Sequence, residues 1–106
     1  MFENIKIVNC TPHAINLIKD GSTTTFEPSG IIPRVSSTEV PVDDILVKNI
    51  MGEVEGLPEE KENTLYIVSA MVFSATNRKD VIAPNTSKAI RNELGHIIGV
   101  PNFIVK

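Results

Sequence analysis

At 106 residues with a formal net charge of −3 and a pI near 5.3, the chain is one domain's worth of sequence, residues 1–106, and lacks the excess of cations that grips a nucleic-acid backbone without sequence preference. A hydrophobic share of 42% with no Trp, one Tyr and four Phe makes the core aliphatic, and the single Cys10 excludes an intramolecular disulfide and suits a reducing cytosol. No charged-then-apolar leader and no apolar run of about 18 residues occurs, so a soluble, cytoplasmic protein with no membrane partner is expected.

In chain order, residues 3 to 8 alternate polar and apolar and predict a strand, which breaks over Asn9 to Pro12. Ala14 to Lys19 predicts a second strand, and Asp20-Gly21 turns it into Ser22 to Glu27, making a hairpin. Pro28-Ser29-Gly30 is a further tight turn. Ile31 to Val40 then reads as an extended segment interrupted by Pro33, hence an edge or bulge, and Val42 to Ile50 as a strand or crossover.

The Glu-rich stretch from Glu53 to Asn63, with Gly56 and Pro58, predicts an exposed acidic loop. Leu65 to Val68 predicts a buried strand, after which Ser69 either caps a short helix through Thr76 or the strand simply continues. Val81 to Ala83 is a short buried piece. Ala89 to Val105 reads as a hairpin, with a turn over Asn92 to Gly95 and a return through Phe103-Ile104-Val105. The sum is a β-rich α+β domain with one short helix, built as a small twisted antiparallel sheet or a partly open barrel.

The polar residues that could carry chemistry fall into three groups. Asn9 and the Thr11-Pro12-His13 turn would project an imidazole between two strands, where it could move a proton near neutral pH. Ser29, in its turn, and Arg34 offer a hydroxyl, backbone amides and a cation, a combination suited to an anion. The apolar run ending at Thr76 gives way to Arg78, Asp80, Asn85, Thr86 and Arg91, which could together hold phosphate, ribose or base edges. No paired Cys or His spacing, P-loop or dinucleotide fingerprint is present, so no metal or cofactor is expected.

Four pieces, Val-Asn-Cys-Thr-Pro-His-Ala-Ile-Asn-Leu, Glu-Pro-Ser-Gly followed by Pro-Arg-Val, Gly-Leu-Pro, and Thr-Leu-Tyr-Ile-Val-Ser-Ala-Met-Val, span nearly the whole chain. In that order they resemble a family of small phage and prophage proteins, with Cys10 standing where the family usually has Leu. The resemblance implies the cytoplasm of an infected bacterium and a homo-oligomeric binding protein. Its cargo would be a nucleotide-derived messenger of a defence system such as Thoeris or CBASS, sequestered without cleavage. Asn9, Thr11 and His13 would then line one wall, Ser29 and Arg34 a second, and Arg78, Asp80, Asn85, Thr86 and Arg91 would grip the ligand. The alternatives are a small hydrolase or phosphodiesterase using His13 as general base, and a protein-binding accessory or virion component.

Overall fold

A computed structural model describes residues 4–106; Glu3, which opens the first expected strand, lies outside the described residues. Among the described residues, ten strands and one short α-helix make up the β-rich α+β domain that the alternation of apolar and polar residues predicts. The central sheet has the order β1-β6-β7-β10, from Lys6–Asn9, Thr64–Ile67, Val81–Pro84 and Phe103–Val105. It is a mixed sheet: β1 pairs parallel with β6, β6 parallel with β7, and only β10 runs antiparallel. Three two-stranded units surround it, β2 (Ile15–Lys19) with β3 (Ser22–Phe26), β4 (Arg34–Asp43) with β5 (Leu46–Glu55) and β8 (Ile90–Arg91) with β9 (Ile97–Gly99), and none of the described sheets closes into a barrel.

The parallel β6–β7 pair exists because a helix separates the two strands. Ser69 has extended backbone and its Oγ accepts from the Val72 amide at 3.3 Å, capping α1, Ala70–Ala75. The crossover from Val68 to Asp80, with α1 inside it, brings the chain back alongside β6. Val72 faces inward and joins Cys10, Tyr66, Val68 and Val81 in the core, with Val8, Val35, Val54, Leu57 and Phe73 packed around them.

The hairpin of β2, Ile15–Lys19, and β3, Ser22–Phe26, turns through Asp20 and Gly21 with φ of +51° and +80°, the mirror-image turn that matches strand twist and that Gly tolerates without a Cβ penalty. Gly99 serves closeness instead. A Cβ there would sit 2.6 Å from Ile18 Cδ1 and 2.9 Å from the Asn16 carbonyl oxygen, so β2 and β9 meet across bare backbone.

Three sequence expectations change. The segments from Ile31 to Val40 and Val42 to Ile50 form one long hairpin, β4 (Arg34–Asp43) with β5 (Leu46–Glu55), turning at Asp44-Ile45, and Pro41 is accommodated because β4 has a free edge. Glu53 and Glu55 belong to β5 rather than to the acidic loop, which is left to residues 56–63. The terminal hairpin is real only for β8 (Ile90–Arg91) and β9 (Ile97–Gly99); β10 crosses to β7, where Phe103 also meets Phe26 edge-on at 5.9 Å. The long hairpin stretches the molecule to 53 × 39 × 23 Å.

Asn9 ties these parts together. Its Nδ2 donates to the carbonyls of His13 and Phe26, both at 2.8 Å, and its Oδ1 accepts from the Thr11 amide at 3.0 Å and Thr11 Oγ1 at 2.7 Å. Because Asn9 is 2% exposed, water cannot replace these bonds. Asn9→Ala is expected to lower unfolding free energy by about 2–4 kcal/mol, and Asn9→Asp by a similar amount because a carboxylate has no donor for the two carbonyls. Urea denaturation followed by circular dichroism measures both.

Candidate functional site

The three polar groups singled out in the sequence do not fold into one recess. Asn9, Thr11 and Ser29 do come together, but as structure: Ser29 donates its amide and its hydroxyl to the Asn9 carbonyl at 2.9 and 2.7 Å, and Ser29 Oγ accepts from the Ile31 amide at 3.3 Å. Thr11 Oγ1 is shared between Asn9 Oδ1 and the His13 carbonyl. His13 enters this network through its main chain, while its residue is exposed. The Asn-x-Thr-Pro spacing already signals this turn, since an Asn side chain bonds the amide two residues on.

Arg34 begins β4 opposite Glu55, at the foot of the long hairpin. Arg91 lies on the β8–β9 hairpin and folds back to donate to the Gly95 carbonyl at 2.8 Å. Asn85 clasps the ends of β7 and β10, donating to Asn102 Oδ1 at 2.8 Å and accepting from Ser87 Oγ at 2.8 Å. Thr86 starts the 3₁₀ turn that follows, on the surface.

Arg78 and Asp80 sit in the α1–β7 connection, where they form a two-pronged ion pair: Arg78 Nε donates to Asp80 Oδ1 at 2.9 Å and the terminal nitrogen to Oδ2. Glu60 lies 3.7 Å from Arg78 Nε, and the Tyr66 ring centroid is 5.9 Å from the guanidinium carbon. The hydrogen bond to Asp80 raises the Arg78 pKa, against the pull of partial burial. With two carboxylates already around it, this guanidinium has little attraction left for a phosphate. The wide recess there, about 690 Å³ and lined by Glu60, Leu65, Thr76, Asn77, Arg78, Lys79 and Asp80, therefore lacks a net positive field.

A second recess suits an anion better. A groove of about 420 Å³ runs along β1, between the Glu27–Ile31 turn and the acidic loop. Lys6 and Lys61 line it together with Ser29, Thr64, Tyr66 and Glu27, so two ammonium groups face one carboxylate. Tyr66 is held there by its own hydroxyl, which donates to the Glu59 carbonyl at 3.0 Å. Of the sequence-predicted residues only Asn9 and Ser29 reach this groove. Lys6 and Lys61 were missed because they are 55 residues apart in sequence and only the parallel β1–β6 pairing makes them neighbours.

Next to the groove, Cys10 is buried against the core at 2% exposure. Desolvation pushes its thiol pKa up, offset in part by a hydrogen bond with Ser29. No protein-family model, curated protein or solved structure matches this chain.

Two expectations follow from these geometries. Arg78→Ala leaves the Asp80 carboxylate, 13% exposed, without its partner, and is expected to cost about 2 kcal/mol; removing both groups together should cost less than the sum of the single losses, as a double-mutant cycle in urea will show. A folded thiol with a raised pKa holds its proton more tightly than the unfolded chain does. Its contribution is thus intact below the unfolded thiol's pKa and is lost as pH rises through the folded one. The urea midpoint of the native protein should therefore fall above about pH 8.5, and fall less steeply in Cys10→Ala.

Proposed function

We propose that this protein is a phage-encoded binding protein that sequesters a small nucleotide-derived anion without turning it over, and that the ligand lies in the groove along β1. The observation that supports this is the presence of both Lys6 and Lys61 in the lining of one recess of about 420 Å³, in a chain whose net charge is −3. Ligand-sized pockets span roughly 300–1,000 Å³, so a mono- or dinucleotide is within range. Lysine ammonium groups would neutralise phosphate oxygens as point charges. Ser29 and Thr64 line the groove beside them, their hydroxyls donating to the Asn9 and Glu62 carbonyls and keeping acceptor lone pairs.

Sequestration is favoured over cleavage by the disposition of the groups. The residues lining the groove are cations, hydroxyls and one carboxylate, with Lys6 and Thr64 on strands and Lys61, Ser29 and Glu27 in the flanking loops, a set suited to holding charge rather than relaying protons. His13, the general base of the hydrolytic alternative, is outside the lining of the groove. The resemblance to small phage proteins gives the binding a purpose, removal of a defence messenger from the cytoplasm of the infected cell.

Calorimetric titration with a panel of cyclic dinucleotides and ADP-ribose-derived messengers tests the reading. Saturable binding by at least one member is expected, with the ligand recovered intact after heat denaturation. Lys6→Ala and Lys61→Ala should each weaken it about tenfold, the loss of one charged contact, while Arg91→Ala leaves it unchanged. Fragmented ligand, or affinity indifferent to both lysines, overturns the proposal.

A further inference from the structure

The long β4–β5 hairpin leaves the body of the domain as an arm. By register, Thr38, Val40, Lys48 and Ile50 share one face with Leu46, and Ser37, Glu39, Pro41, Val47, Asn49 and Met51 share the other. Apolar side chains thus stand on both faces, and they are in solvent: Val42 is 66% exposed, Leu46 57%, Val47 56% and Ile45, at the tip, 89%. Only the root is covered, where Val35 and Val54 pack on the core.

Two physical facts say that such an arm does not stand alone. An isolated two-stranded ribbon is marginally stable in water at best, because neither face is buried. The chain also exposes far more surface than a compact monomer should: 7741 Å² against about 5,800 Å² expected for a folded monomer of this mass, an excess of about 1,900 Å². The radius of gyration is 16.1 Å where a compact chain of this length has about 13 Å. A stable dimer needs roughly 800 Å² from each partner, so the excess is enough for one such contact.

We infer that the arm is a homodimerisation element: it packs against the arm of a second copy of this chain about a two-fold axis. That symmetry lets one apolar ribbon supply both halves of the contact and closes the assembly at two, whereas an off-axis contact would propagate. Charge gives the association a signature. The arm, residues 34–55, has two cations, Arg34 and Lys48, against five carboxylates, Glu39, Asp43, Asp44, Glu53 and Glu55. It accounts for the whole net charge of −3, so two arms repel while their apolar faces attract. Added salt screens the repulsion and tightens the dimer. The inference does not depend on any ligand in the β1 groove.

Sedimentation of the full chain decides it. The native protein is expected at twice its 11.6 kDa mass by about 100 µM, with a dissociation constant that falls as salt rises from roughly 0.05 to roughly 0.5 M. Of Leu46→Glu and Met51→Glu, one on each face, the one on the face turned to the partner should weaken association at least tenfold, while Leu94→Glu on the β8–β9 turn leaves it unchanged. If the arm variants misfold, hydrogen exchange on the native protein replaces them: arm amides should lose protection on dilution while β6 amides keep theirs. A monomer throughout, a dimer indifferent to both arm substitutions, or arm amides whose protection ignores concentration overturns the inference. A monomer that dimerises only with a different protein on the arm overturns it equally.

Discussion

The Asn9 side chain is the constraint on which the rest of the architecture rests. A carboxamide is the one short side chain with two donors and an acceptor able to take two bonds, and all are used here in a site closed to water. Through them the end of β1 fixes the Thr11-Pro12-His13 turn and the end of β3. Through the Asn9 carbonyl, β1 also fixes Ser29. The Pro28–Ser29 turn is thereby held beside the edge of the central sheet, and the gap between that turn and β1 is the groove with Lys6 and Lys61. The groove owes its width to Asn9 without the side chain being spare to bind anything.

That arrangement explains which parts of the molecule were legible in the sequence. Local signals held: Asp20-Gly21 makes the mirror-image turn, Ser69 caps α1, and Tyr66 and Ile67, early in the apolar run before Arg78, are buried in the central sheet. Pairings between distant segments were not legible. Nothing in the alternation of residues 6–9 distinguishes a parallel neighbour at 64–67 from an antiparallel one nearby, because side-chain period is the same in both. The return segment at 103–105 looked like a hairpin partner for the same reason, yet it completes β7.

The polar residues show the same division. A cluster such as Arg78, Asp80 and Asn85 looks like a binding site in sequence because each group has unspent hydrogen-bonding capacity. The fold consumes that capacity internally, pairing Arg78 with Asp80 and Asn85 with Asn102. Lys6 on its strand and Lys61 in its loop attracted no notice, since a lone cation on a solvated face is ordinary. Their significance depends on a third coordinate, the recess between them, that one dimension cannot display.

Charge and apolar surface are partitioned in a way that keeps two roles apart. Outside residues 34–55 cations and carboxylates balance, and Lys6 and Lys61 line the β1 groove beside a loop that carries Glu59, Glu60 and Glu62. The arm holds the surplus of carboxylates and half of the exposed large apolar side chains, and it meets the core through Val35, Val54 and the packing of α1 against its root. Carboxylates around an apolar ribbon raise the cost of indiscriminate aggregation while leaving a matched contact favourable, because a matched contact buries the aliphatic faces and leaves the charges at a wet rim. The proposed anion groove on the body and the inferred contact through the arm draw on separate residues, so a substitution in one leaves the other's physics untouched.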